Sequence, residues 1–513
     1  MSARGLQAPL DPNASDDTYH LERSVTIRSR SCTDKKFAVL LGIFLGAVAL
    51  LGVVAAGHAT TDPMALITKA QLPKGVCNNG TKLPISPEVL PAGDMPSDHD
   101  MHTDASKLGN VWWVPVVMVL VSSVIGAIFI TVFRHAAKVM TWAIAVSMPF
   151  FMAFIAIMVF TSKVDLGGTE TEQHIYAAWP AAATVLWSLL LLCWRNRIEL
   201  TARLLEQAAV CLAANPALVV MSLLLTALQL VFVLVLGGIA LLAAYSGNAE
   251  KQTIAHGQEV CGYGVGPLGE VTIGLASFVM LWLTFLLMEM RVYITSGATA
   301  LWYFHVDDAT FPMPKYRTVM ASKWAVTTSL GSLAYASLVL TLVDILKRLV
   351  NSAIRDSKMN AIVKLVLMCI VNCINRVVQW LTRWATVVMA INGGTFCKSA
   401  KSLKNILMKR GFTFIAVESL GAWVLTLSSV IFSLMLSAIP YYVVKNYGVK
   451  YHWVSESSSD TALVLCVICG ILSFFTLQII VGICISIIDA LFVCWCVRCC
   501  SWCCSRCCSR RSR

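Results

Sequence analysis

Long apolar runs separated by short polar loops dominate this chain. Runs at 37–57, 111–133, 139–161, 174–194, 216–245, 270–304, 323–349, 411–440 and 461–494 each approach or exceed the roughly 20 predominantly apolar residues that a helix needs to cross a hydrocarbon core. Lipid offers no partner to a backbone N–H or C=O, so such runs predict helices. A tenth span is expected between 350 and 397, where the pattern conflicts with itself. Strict alternation puts 350–376 outside, yet Lys347, Arg348, Arg355, Lys358 and Lys364 crowd there, and basic residues favour the inside. Two readings stay open. Either the seventh run does not cross fully, or 383–391 is a re-entrant or broken span, with 359–378 an interfacial helix before it. Asn392-Gly393-Gly394 would supply the break.

Charge orders the rest of the pattern. Residues 1–36 are polar and aperiodic and read as a disordered cytoplasmic tail. Arg28, Arg30, Lys35 and Lys36 precede the first run and hold that side inside. A signal peptide cut after Ala59 is the rival reading, against which the long leader speaks. The transmembrane unit is 37–497, with 58–110 as its outer loop, and a Cys/Arg-rich cytoplasmic tail follows at 498–513. Arg134 and Lys138 place the 134–138 connector inside. Arg195, Arg197 and Arg203 make 195–215 an inner segment that reads as an amphipathic helix on the membrane surface. The expectation is therefore an all-α, polytopic membrane protein of about ten transmembrane helices with both termini cytoplasmic.

Composition narrows the function. Of 513 residues 57% are hydrophobic and 13% charged, against about 25% charged in a soluble domain. The net charge of +12 sits in inner loops rather than in a basic patch interleaved with aromatics, so nucleic acid is not an expected partner. No GxxxxGK[ST], HExxH or GxSxG motif occurs, which removes support for ATP-driven pumping and common hydrolase chemistry. No enzyme activity, cofactor or metal is expected. Gly264-Val265-Gly266-Pro267-Leu268-Gly269 formally fits GxGxxG, but it is expected to follow no strand and reads as a loop.

Eight of the 19 cysteines lie between Cys494 and Cys508. The pairs Cys499-Cys500, Cys503-Cys504 and Cys507-Cys508 recur every fourth residue, on one helical face and among arginines. That is the setting for S-acylation; metal binding through the Cys-x-x-Cys spacings is the less favoured reading, because the run lacks discrete pairs. Cys77 and Cys261 fall in outer loops, as a disulfide or as two free thiols. Asn79-Gly80-Thr81 is a glycosylation sequon on the expected outer side.

Polar and aromatic residues inside the spans point to a solute path. Glu289 in the sixth run is costly unless it meets a cavity or a partner. Asp489 is a further buried-acid candidate, Asp344 reads as a helix-end ion pair with Lys347 and Arg348, and Glu418 reads as interfacial. Trp282, Tyr293, Trp302, Tyr303 and Tyr335 form an aromatic set, which suits a quaternary ammonium held by ring faces or, equally, an interfacial belt. Ser332 and Asn392 either line a polar path or bond within the bundle.

Three blocks carry a resemblance. Arg30-Ser31-Cys32-Thr33-Asp34 precedes the first run. Residues 296–304, SGATALWYF, are followed by GSLAY at 331–335. Residues 390–400 read AINGGTFCKSA. In this order they resemble the signatures of the choline transporter-like family, and the likeness covers roughly Arg30 to Cys494. It implies choline, with ethanolamine as a second candidate substrate, moved across the plasma membrane or an organelle membrane by facilitated diffusion or proton exchange. On that reading Trp302, Tyr303 and Tyr335 cage the ammonium and Glu289 tunes the charge. The oligomeric state is not legible.

Overall fold

The computed structural model describes residues 30, 32–58, 113–161, 170–245, 248–253, 259–304, 316–356, 360–447 and 458–511. Helices form where the apolar runs predict them. They are α1 Lys35–His58, α2 Trp113–Thr161, α3 Glu170–Cys193, α4 Arg195–Ala214, α5 Ala217–Tyr245, α6 Pro267–Phe304, α7 Arg317–Thr327, α8 Leu330–Asp356, α9 Ala361–Asn392, α10 Phe396–Tyr447 and α11 Ser458–Arg511. Among the described residues eight helices are long and apolar enough to cross a membrane, or nine if the bent pair α7 and α8 forms one span. From residue 113 on, the spans expected at 111–133 and 139–161 lie within one of these, the 49-residue α2. Straight, such a helix would run about 74 Å, more than twice the hydrocarbon thickness of about 30 Å. Ala136, at φ −126° and ψ 19°, leaves helical geometry inside the basic connector and divides it.

The ambiguous stretch resolves into one helix. The expected separation into a helix over 359–378 and a broken or re-entrant stretch over 383–391 does not appear, because α9 runs unbroken over 361–392. It stops at Gly393, whose φ of 65° is left-handed, the conformation glycine adopts without a steric penalty. A second break, not expected, lies in the seventh run: α7 and α8 meet at 72° around Thr328 and Ser329.

The outer segment before α6 also departs from expectation. Strands β1 Asn248–Thr253 and β2 Glu259–Gly264 form an antiparallel hairpin in the register Asn248↔Gly264 to Thr253↔Glu259. The GxGxxG sequence therefore does follow a strand and precede a helix. Its strand pairs in a hairpin and not in a parallel βαβ unit, so the dinucleotide reading still lacks its context.

Helix α6 is the axis of the bundle. It packs against α1, α5, α7, α8, α9 and α11, and Trp282, Tyr293 and Leu301 along it are fully buried. Small residues let α7 approach it: a side chain at Gly297 would meet Ala321 Cβ at 3.3 Å. Helix α4 does not lie free on a membrane surface. Its apolar face, with Ile198, Leu205, Ala209 and Leu212 buried, is covered by α2, α10 and α11. Outside it, Glu199 bridges Arg203 at 3.2 Å and Lys138 of the α2 connector at 3.6 Å. Arg203 first, and Lys138 with it, hold the Glu199 carboxyl below its ordinary value. This contribution is present at neutral pH and lost as pH falls through that lowered value. Exposed pairs of this kind add little.

Helices α2 and α11 are joined by a buried hydrogen bond between the hydroxyls of Ser122 and Ser473, 2.8 Å apart. We expect Ser122→Ala to lower stability by about 0.6–1.7 kcal/mol, the range for interhelical bonds in lipid. Adding Ser473→Ala should cost little more. A denaturant titration in detergent micelles checks both values, and additive losses would show that the two hydroxyls do not act as a pair.

Candidate functional site

Trp282, Glu289 and Tyr293 recur at helical spacing on the face of α6 turned toward α8 and α9. Around that face the described residues form two polar groups inside the apolar bundle.

The first group is ionic. Helix α9 brings Trp380, Arg383, Trp384 and Thr386 inward at i, i+3, i+4 and i+6. Arg383 Nη2 donates to Asp489 Oδ2 of α11 at 2.6 Å, and Asp489 is completely buried. Thr386 Oγ1 donates to the buried Glu289 carboxylate of α6. Trp380 and Trp384 both turn their indole N–H onto Glu418 Oε2 of α10, the second at 3.1 Å. Arg383 also feels the charges of Glu418 and Glu289. Three carboxyl groups from three helices thus bond to α9 side chains within one turn of Arg383, and Asp489 bonds to Arg383 itself. Desolvating a charge in such a place costs several kcal/mol, so a surplus of acid requires protons, cations or water to offset it. Asp489 Oδ1 and Arg383 Nε are buried without a hydrogen-bond partner among the described residues.

The second group ties the chain ahead of α1 to the broken span. Thr33 N and Oγ1 both donate to Thr328 O, at 2.9 and 3.2 Å, satisfying a carbonyl that the bend frees. Ser332 Oγ donates to Asp34 Oδ2 at 2.5 Å and lies 2.9 Å from Thr33 Oγ1. A side chain at Gly331 would meet the Asp34 and Thr33 carbonyls at 2.3–2.5 Å, so only glycine admits this segment. Arg30 reaches further in. Its Nη1 donates to Tyr293 OH at 2.8 Å, its Nη2 to Ala390 O at 3.0 Å, and its guanidinium lies 3.7 Å from the Trp324 ring centre.

The predicted residues divide between these groups and other places. Glu289 belongs to the ionic group. Tyr293, also bonded to Ser329 at 2.8 Å, and Ser332 belong to the second. Asn392 stands at the adjoining end of α9, with its side-chain oxygen buried and unpartnered among the described residues. Tyr335 packs on Phe37 at 4.6 Å and on Phe396 at 5.7 Å. Trp282 donates to Ala334 O at 3.0 Å and to Ser337 Oγ at 3.1 Å. Trp302 and Tyr303 lie more than two turns beyond Tyr293, at the end of α6, with Tyr303 against Phe304. Asp344 pairs with Arg348 at 2.8 Å as expected, but within α8 and not at a helix end. Glu418 is held by two indoles within the bundle instead of lying free at an interface.

Asn79 and Cys77 lie outside the described residues, and so does any bond from Cys77 to Cys261. The α11 backbone is helical past Cys508, which keeps Cys499, Cys500, Cys503, Cys504, Cys507 and Cys508 at helical spacing. Arg383, Trp380, Trp384, Thr386, Arg30 and Trp324 were missed as site residues. An arginine inside an apolar run was the signal for Arg383; nothing local marks the others. A crevice of about 440 Å³ between α2 and α3, lined by Trp142, Phe150, Thr184 and Arg195 among others, includes none of the predicted residues.

A bundle of membrane-length helices with ionic side chains at its centre defines a multi-pass integral membrane protein. The chain belongs to the choline transporter family: the family model described as plasma-membrane choline transporter matches residues 179–508, well over half its length. A CTL-like protein of Dictyostelium discoideum is 28% identical over 165 residues, 32% of this chain and 29% of that one. Choline transporter-like protein 1 of Torpedo marmorata is 27% identical over 227 residues, 43% and 33% of the two chains. Choline transporter-like protein 5 of Macaca fascicularis is 25% identical over 194 residues, 34% and 26%. The matched stretches thus span about a third or less of these relatives' length.

The ionic group gives a direct test. Asp489→Leu alone should lower stability by about 3–5 kcal/mol, because it removes the buried carboxylate bonded to the part-buried Arg383 guanidinium. The pair Asp489→Leu with Arg383→Met should regain most of that loss. Thermal unfolding of the purified variants reads the difference, and equal losses in the single and double variants would mean the pair does not act as a unit.

Proposed function

We propose that this protein carries a small organic cation, choline or a related quaternary ammonium or amine such as ethanolamine, across its membrane. The observation that carries this reading is the group of three carboxyls inside the bundle, Glu289, Glu418 and Asp489, of which Asp489 alone has a hydrogen bond to a guanidinium, that of Arg383, among the described residues. A site that needs positive charge to balance it is suited to a passing cation. When the cation is absent a proton can take its place, which makes proton exchange the coupling we favour over simple facilitated diffusion. A quaternary ammonium has no proton to donate, so aromatic faces must hold it, at about 0.5–2 kcal/mol each. Tyr293 and Trp282 share the α6 face with Glu289, and Trp302, Tyr303 and Tyr335 remain the cage residues of this reading, with Ser332 and Asn392 lining the approach. The break between α7 and α8 offers a joint for alternating access. The plasma membrane, cytoplasmic termini, a glycan on Asn79 and acyl chains on the tail cysteines complete the proposal.

Radiolabelled choline flux into proteoliposomes, with and without a pH gradient, tests it. Saturable flux that responds to the gradient is expected. Glu289→Gln should keep the fold, lower the flux about tenfold, or about 1.4 kcal/mol, and blunt the response to the gradient. Saturable flux indifferent to the gradient would remove the coupling. No flux from folded protein would favour a scaffold anchored by its acylated tail.

A further inference from the structure

We propose that Trp324, Tyr293 and the Ala390 carbonyl form a separate binding site for a small organic cation, and that Arg30 is its tethered occupant. Arg30 with residues 32–34 then closes this end of the path until the arginine withdraws. The inference deepens the cation-transport reading and rests on it for the path, though not for the site.

The receptor has the chemistry of a cation site and not of a salt bridge. One indole face lies 3.7 Å from the guanidinium, with a phenol oxygen at 2.8 Å and a carbonyl oxygen at 3.0 Å. Among the described residues no carboxylate pairs with Arg30. A ring face and neutral oxygens attract any cation, with or without N–H groups. A guanidinium offers five donors, and here Nε is buried without a partner among the described residues. The fit to guanidinium is therefore incomplete. Gly393, at φ +65°, keeps the wall open, since a side chain there would come within 3.2 Å of Arg30 Nε.

Place and attachment support the same role. Tyr293 lies one turn of α6 from Glu289, about 6 Å along the axis, so this site adjoins the acid cluster. The segment is held by neutral bonds to Thr328 and by Ser332, at the bend between α7 and α8. Movement of that bend would break those bonds and draw Arg30 out.

Tetramethylammonium is the probe. Its affinity for the purified full chain, read by isothermal titration and by thermal stabilisation, should rise at least tenfold in Arg30→Ala. Adding Trp324→Ala should remove the gain. Folded Arg30→Ala with unchanged affinity would overturn the proposal, as would a gain that survives loss of Trp324. A second variant covers misfolding of the first. Cys32 Sγ lies 3.5 Å from Thr327 O, so Thr327→Cys sets a thiol beside it. Oxidation should then weaken tetramethylammonium binding and stop choline flux, reductant should restore both, and wild-type protein should respond to neither. Undiminished binding in the crosslinked protein would sink the idea. If wild-type protein moves no choline but Arg30→Ala gains the tetramethylammonium site, the site stands and the choline reading falls.

Discussion

A guanidinium and three carboxyl groups, held inside a bundle of apolar helices, set the terms for the elements around them. Arg383 and Asp489 meet at 2.6 Å with Asp489 fully buried, and separating them would leave a charge in a medium that cannot solvate it. The pair fixes the rotation of α9 against α11. Thr386 and Glu289 fix α9 against α6, and Glu418 with the two indoles fixes it against α10. Three helices are thus indexed to a fourth by polar contacts. In lipid, where apolar packing gives helices little reason to prefer each other over acyl chains, such contacts select one arrangement from many.

The second constraint is backbone. A bend in a membrane-length helix frees carbonyls and amides, and irregular backbone survives there only when protein or water satisfies it. Thr33 meets that requirement at Thr328, and Gly331 lets it come close enough to do so. The chain before α1, the bend of α7 and α8, and the end of α9 at Gly393 therefore form one structural unit. The three short sequence blocks that carry the family likeness run through it: Arg30 to Asp34, the helix start at Gly331, and the turn at Gly393 and Gly394. In the fold they are neighbours, and their closeness explains residues that no linear reading would join, such as Arg30 with Tyr293 and Ala390.

Hydrophobic patterning located the membrane-length helices outside 350–397 and the helical class, because each follows from local chain composition and from the cost of unpaired backbone in lipid. Glu289 was legible for the same reason: a carboxyl within an apolar run must have a partner, whatever that partner is. The sequence did not reveal which partner. Thr386, Arg383 and Asp489 lie 94 to 200 positions away along the chain, and only packing brings them to α6. The bend at Thr328 escaped notice because serine, threonine and glycine are ordinary within spans; what holds it open is a segment almost 300 residues earlier. The sequence by itself determined where helices form and that charge lies among them. The tertiary structure alone decided which charges meet and that Arg30 fills the aromatic site, since such contacts depend on helix rotation and register, which a pattern of apolar residues leaves free.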